Sequence, residues 1–361
     1  MKKFLIVSIV ALVAVSVAVT AAVAKPAKKS ATQEVCVLLP DTKSSVRWEQ
    51  FDKPYFIKAL KAAGVTYSVT NALGDALKQV AQADQCLSNG AKIAVITSLD
   101  AGSSIAIQKK FAAAGGQSID YDRQVVGGTA KVYVTFDGNA VGRAQAKGLV
   151  AGLKASGKKK PVVAQLWGGK TDQNAFWFQS GNNDILNPLF TAGKLTRGPQ
   201  QFVPGWLATN AQPIFEQMLL KTGNKIDGVI AANDNIAGAV VATLKAKGLP
   251  YLPLTGQDAS VQGVQNIISG RQTMTVYKYV PDEATAAAQA AVALLKGQKP
   301  KTNGTRPNGS KPEPTYAIPV VSITRDNFRR LFTDKFLKKS DVCVGEFAKY
   351  CVKPAPAPTG S

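Results

Sequence analysis

The chain has 361 residues, 45% of them hydrophobic, enough to bury a sizeable core and longer than one average domain. Its 44 basic and 23 acidic side chains leave a formal charge of +21. It contains no histidine, which excludes Ser-His-Asp and Cys-His nucleophile systems, histidine-ligated zinc and histidine general bases.

The N-terminus opens with Met1-Lys2-Lys3, continues as an uncharged, mostly apolar run from Phe4 to Val19, and reaches Ala22-Val23-Ala24 ahead of Lys25-Pro26. A basic start, an apolar middle and an A-x-A site predict a secretory signal peptide over 1–24, with the mature chain beginning at Lys25. The rival reading is an uncleaved anchor, since the run is long enough to span a bilayer. No cysteine stands at the cleavage site to carry a lipid.

Export bears on the four cysteines, because disulfides persist outside the cytoplasm. The favoured pairing joins Cys36 to Cys86 and Cys343 to Cys351. The alternative leaves Cys36 and Cys86 as buried thiols. No cysteine spacing matches a zinc site, and no metal or cofactor is expected.

Beyond Glu34, short β-branched runs at 35–39, 65–69, 93–96, 118–121 and 132–136 alternate with helical stretches at 55–63, 73–87 and 105–114. The rhythm restarts after Phe136, with a helix at 141–153 and strands at 162–166, 228–232 and 252–255. This alternation predicts an α/β fold of two doubly wound parallel-sheet lobes with a cleft between them. Residues 301–314, rich in Pro, Gly, Asn and Lys, read as a surface loop, and 353–361 as a disordered tail.

Phe328, Phe332 and Phe336 recur every fourth residue among Arg329, Arg330 and Lys335, which reads as a helix with an apolar core face and a basic solvated face. A single-strand nucleic-acid platform would use the same residue types. The remaining lysines are scattered, with one triplet at 158–160, so no nucleic-acid partner is expected.

Ligands of open α/β sheets bind outside the carboxyl ends of the strands. In this chain the strands lead into Arg47-Trp48, Tyr121-Asp122-Arg123, Asp172-Gln173-Asn174, Gly205-Trp206, Ala232-Asn233-Asp234, Gly256-Gln257-Asp258 and Lys278. Carboxylates accept, Arg and Lys donate and Asn does both, which suits a ring of hydroxyls. Trp48 and Trp206 offer flat apolar surfaces to the C–H faces of such a ring. Singly, each has a plain alternative: Arg47 and Lys278 as solvated charges, the tryptophans as core, Asn233-Asp234 as a helix N-cap. Their joint placement after strands in both halves carries the argument.

In this order and spacing, together with Thr273-Met274-Thr275-Val276-Tyr277-Lys278, the motifs resemble those of the periplasmic sugar-binding proteins of ABC importers, D-xylose-binding type, from about residue 35 to 328. The resemblance implies sugar contacts by Arg47, Trp48, Asp122 and Arg123 from an N-terminal lobe. It implies the same for Asp172, Asn174, Trp206, Asn233, Asp258 and Lys278 from a C-terminal lobe, with Asp234 a further acceptor and the two tryptophans sandwiching the ring.

It also implies a hinge of three segments crossing near Asp137, Tyr279 and Thr315. The N-terminal lobe would comprise 32–137 and 279–315, the C-terminal lobe 138–278 and 316–340, with 341–361 as an extension. The implied activity is capture of a monosaccharide, xylose or a similar aldose, by hinge closure. A monomer would deliver it to a transporter permease, meeting the membrane surface only through that transporter.

One departure is Phe136-Asp137-Gly138-Asn139, where the family usually reads Phe-Asp-Asn; the added glycine is expected to loosen the hinge. The cysteines, the basic charge and the residues beyond Asp341 are not accounted for by the resemblance. Three other functions share parts of this pattern. A sugar-responsive repressor's effector domain conflicts with the signal peptide. A secreted carbohydrate enzyme would need Asp122, Asp172 or Asp258 as paired carboxylates, whereas Arg123 and Lys278 nearby favour ionised acceptors. A soluble sensor for a signalling receptor would bind the same ligand and differ only in its partner.

Overall fold

β-Branched runs become strands wherever the next segment can cover them. The computed structural model describes residues 33–360. The N-terminal half runs β1 (Val35–Leu39), α1 (Lys53–Ala62), β2 (Tyr67–Asn71), α2 (Ala76–Ser88), β3 (Ile93–Ile96), α3 (Ala101–Ala113), β4 (Gln117–Tyr121) and β5 (Tyr133–Phe136). The next stretch runs α4 (Gly138–Ala155), β6 (Val162–Trp167), α5 (Gln173–Thr191), β7 (Thr196–Phe202), α6 (Ala208–Lys221), β8 (Gly228–Ala231), α7 (Asp234–Ala246), α8 (Val261–Ile268) and β9 (Thr275–Tyr277). It ends with α9 (Val280–Leu295), β10 (Gly304–Asn308), β11 (Lys311–Ile318) and β12 (Val321–Ile323). Asp75, Asp100, Asp137, Asp172, Asn233 and Ser260 each accept a backbone N–H at a helix start, which fixes where strand loops turn into helices.

The larger sheet has the order β10-β11-β5-β4-β3-β1-β2, parallel except for the β10–β11 pair at its edge. Side chains of β1 alternate between its faces. Val35, Val37 and Leu39 pack with Phe56, Tyr121 and the alanines of α9, while Cys36 and Leu38 pack with Ala83 and Phe111. Both faces are thus covered by helices, as doubly wound winding requires. The second sheet runs β7-β6-β8, all parallel, and isolated bridges at Val229–Leu254 and Gln257–Val276 continue it toward the antiparallel β9–β12 pair.

The chain leaves the larger sheet after Phe136 and returns to it through α9, which packs on β3, β4 and β5. It leaves finally at Pro319, because β11 stays paired with β5 as far as Ile318 rather than departing near Thr315. Gly138 stands just after the first departure from the larger sheet. It opens α4, and a Cβ there would lie 2.7 Å from Trp177 Cβ, so glycine permits close approach of α5.

Several expectations change. Residues 301–314 are not a featureless loop, since β10 and β11 form a hairpin there. Pro307, Pro312 and Pro314 hid it, yet prolines are tolerated at a sheet edge. Residues 252–255 make one bridge instead of a regular strand. The stretch around Phe328–Phe336 is not one helix, because only Arg330–Thr333 is helical and Lys335 turns left-handed at φ 55°. Its phenylalanines still pack inward, Phe328 and Phe336 against Val264 and Ile268. Over 353–360 the tail packs back onto the body of the protein. Ala355 N donates to the Ile268 carbonyl at 2.8 Å and Gly360 N to that of Tyr251 at 3.1 Å, and Pro358 is buried.

Both expected disulfides are formed, Cys36 to Cys86 with Cα atoms 6.1 Å apart and Cys343 to Cys351 at 5.8 Å. Among the described residues no helix is long and apolar enough to cross a membrane. The signal-peptide segment 1–24 lies outside the described residues.

Candidate functional site

After β1 the chain turns on Asp41, whose carboxylate accepts from Lys43 N, Ser44 N and Ser44 Oγ. A wide turn over Trp48–Asp52 then leads into α1, with Lys53 N bonding back to the Trp48 carbonyl. Wide turns of this type recur at functional sites. Here it carries Arg47 and Trp48 inward, each only 2% exposed. Trp48 Nε1 donates to Ser44 Oγ at 3.1 Å, and the guanidiniums of Arg47 and Arg123 lie 4.5 and 5.2 Å from its ring centroid.

Asp122 comes directly after β4 in a left-handed conformation, φ 57°. Its carbonyl accepts from Tyr133 Oη at 2.6 Å, from Thr135 Oγ1 at 3.2 Å and from Asn174 Nδ2 at 2.8 Å. Its Oδ2 accepts from Arg47 Nη1 at 2.6 Å and lies 3.4 Å from Lys278 Nζ. Arg123 donates through Nη2 to Ser44 Oγ at 2.9 Å and places Nε 3.0 Å from Asp172 Oδ2.

The second sheet supplies the opposite wall. Asp172 caps α5 by accepting from Asn174 N, and Asn233 caps α7 by accepting from Ile236 N while its Nδ2 donates to the Ser44 carbonyl at 2.9 Å. Asn233 thus caps α7 and lines the cavity at once. Asp258, at φ 95°, accepts from Ser45 Oγ at 2.8 Å and pairs with Lys278 Nζ at 3.1 Å. Trp206, also left-handed at φ 61°, stacks edge-on against Phe178 at 5.9 Å. Its indole lies over Gly168, where any Cβ would collide with the ring. Three non-glycine residues are thus held left-handed along one cleft, a conformation that costs energy and that strained sites retain.

All ten candidate residues, Arg47, Trp48, Asp122, Arg123, Asp172, Asn174, Trp206, Asn233, Asp258 and Lys278, line one cavity. Ser44, Ser45, Phe178 and Gln257 line it too and were not among the candidates. Gln257 stood inside a quoted motif, and Phe178 lies one helical turn beyond Asn174, so both carried a signal. The serines carried none beyond their place ahead of Arg47. Asp234 is not part of the cavity lining. It accepts from Ser260 N at 2.8 Å and Gln272 Nε2 at 3.0 Å and braces the turn behind Asp258.

Charges in the cleft are balanced in pairs. Burial would raise Asp122, but Arg47, Lys278 and Arg123 outweigh it and hold the carboxyl at about 2. Burial pushes Asp172 up to about 6, against the pull of Arg123 and with a push from Asp122. Burial likewise raises Asp234 to about 7. Every cation lining the cavity faces at least one carboxylate, so the site favours a neutral, hydroxyl-rich ligand over a strongly charged one.

The sequence profile of the family described as periplasmic binding protein domain matches residues 35–299. The D-xylose-binding periplasmic protein of Escherichia coli is 33% identical over 303 residues, covering 82% of this chain and 88% of the relative. The multiple sugar-binding periplasmic receptor ChvE of Rhizobium radiobacter is 31% identical, covering 93% of this chain and 98% of the relative. A solved carbohydrate transporter solute-binding protein from Chloroflexus aurantiacus, in complex with D-glucose, superposes with a TM-score of 0.78 at 30% identity. The match covers 86% of this chain and 98% of that one. These relatives are binding proteins by name. With its two α/β lobes and the cleft between them, the chain belongs to the sugar-binding branch of the periplasmic binding protein family.

Proposed function

We propose that this protein captures a free aldose, xylose or a close relative in its pyranose form, outside the cytoplasm and passes it to an ABC transporter permease. The observation that carries the reading is the convergence of ten candidate residues from separate loops of both lobes on one cavity. Arg47, Asp122 and Arg123 hydrogen-bond the sugar from one side. Asp172, Asn174, Asn233, Asp258 and Lys278 do so from the other, and Trp48 and Trp206 cover its apolar faces. Binding requires the lobes to part and close again, since the cavity is walled by both. Residues 1–24 direct export, and the mature chain works as a monomer.

Titration calorimetry of the mature protein against D-xylose, D-glucose, D-ribose, L-arabinose and D-glucuronate tests the ligand class. Saturable heat with a neutral aldose and none with the uronate is expected. No heat with any neutral sugar overturns the reading.

A sensor role for a signalling receptor is favoured by one observation, the word receptor in the name of the ChvE relative. Deletion in the native host separates the two. Loss of sugar uptake supports delivery, whereas intact uptake with a lost transcriptional response supports sensing.

A further inference from the structure

Beneath the cleft, Arg47 is gripped by two carboxylates that do not line the cavity. Asp52 and Glu283 are fully buried, Asp52 ahead of α1 and Glu283 in the first turn of α9, the helix on which the chain returns from the second lobe. A guanidinium has five N–H donors in a fixed plane. Nε and one Nη2 hydrogen go to Asp52 at 2.8 and 2.6 Å, the other Nη2 hydrogen to Glu283 Oε2 at 2.5 Å, and one Nη1 hydrogen to Asp122 at 2.6 Å. One Nη1 hydrogen is left for the cleft.

Stability does not explain this arrangement. Two carboxylates and an arginine are taken out of water, and Glu283 Oε1 has no hydrogen-bond partner. Burial pushes both acids upward while Arg47 pulls them down, and Tyr121 Oη donates to Asp52 at 2.6 Å. Apolar residues of similar size would often be at least as stable as such a cluster. The geometry does account for it. Asp52 grips one edge of the guanidinium and by itself lets the far end swing. A second grip on the outer Nη2 hydrogen stops the swing and aims Nη1 at Asp122 and the cavity.

We infer that Glu283 is a positioning residue for ligand binding, orienting Arg47 without touching the ligand. The inference rests on the proposed reading of Arg47 as a sugar contact. The test is calorimetric titration with D-xylose and D-glucose on Glu283→Gln, Glu283→Leu, Glu283→Ala and Arg47→Ala, with thermal unfolding alongside.

Glutamine keeps an acceptor for Nη2 and is expected to bind within about threefold of the parent. Leucine fills the space without accepting and is expected to weaken both sugars by about tenfold or more, in equal proportion. A residue needed only for packing would accept leucine at least as well as glutamine. Leucine binding within about threefold of the parent, or glutamine no better than leucine, overturns the inference. Glu283→Ala is judged by the leucine thresholds if the leucine variant does not fold. Unchanged affinity in Arg47→Ala instead overturns the site reading itself, while a weak Arg47→Ala beside a parent-like Glu283→Leu overturns only the role of Glu283.

Discussion

Arg123 and Asp172 face each other across the cleft, Nε 3.0 Å from Oδ2, one after the fourth strand of the first sheet and the other at the cap of a helix flanking the second. Both are buried, so the pair lies inside the cleft rather than at its rim. The same meeting surface carries Asn174 on the Asp122 carbonyl and Ser45 on Asp258. The residues that join the two sides therefore also line the cavity.

Arg123→Ala is expected to weaken sugar binding by about one to two decades, the worth of a lost charge-assisted hydrogen bond of roughly 1.5–3 kcal/mol. Trp206→Ala should weaken it at least as much, because the indole both covers the ring and shields neighbouring hydrogen bonds from water. Calorimetry alongside circular dichroism checks both. Parent-like affinity in the two variants would remove the cleft as the binding site.

Asn235 makes a lobe-to-lobe bond outside the cavity lining, with Nδ2 donating to the Lys43 carbonyl at 2.9 Å. Asn235→Ala should speed sugar release several-fold while association changes little, since the bond exists only in the closed form. Stopped-flow tryptophan fluorescence separates the two rates. An unchanged release rate would show that this bond does not hold the lobes closed.

Folded-state acidities set a distinctive pH dependence. Asp172, Asp234 and Glu313 are raised to about 6, 7 and 7, all chiefly by burial, so between pH 4 and 7 the folded chain holds more protons than the unfolded one. Their contribution to stability is full below the unfolded values near 4 and is lost as pH rises through the folded ones. Asp122, depressed to about 2, works oppositely. It contributes roughly 2 kcal/mol above pH 4 and loses it toward pH 2. The melting temperature is expected to peak near pH 4, and Asp234→Asn should flatten its decline toward pH 8. A melting temperature that climbs steadily from pH 5 to 8 contradicts this.

The disulfides should contribute unequally. Closing the 50-residue separation between Cys36 and Cys86 is worth about 4 kcal/mol by the chain-entropy argument, against about 2.5 for the 8-residue separation of Cys343 and Cys351. Urea unfolding of the two paired Cys→Ala variants checks the order. Equal losses would show that loop length does not set what each bridge contributes.

The strands of the first half, the polar caps at Asp172 and Asn233, and the identity of all ten cavity candidates were legible in the chain itself. Period-two apolar runs and capping residues are local signals, readable without knowing the partner. Three features were not local. Ser45 meets Asp258 across 213 residues of chain, and no spacing in the sequence announces that contact. The β10–β11 hairpin was concealed because prolines forbid a strand paired on both sides, and only the assembled sheet puts Pro307 on the edge strand and Pro312 and Pro314 ahead of the pairing of β11 with β5, which begins at Thr315. No motif in the sequence singled out Glu283, and only the packing of α9 against the first sheet put its carboxylate on Arg47. Which residues reach the cleft came from strand order, but which groups hold them there depended on how two distant surfaces pack.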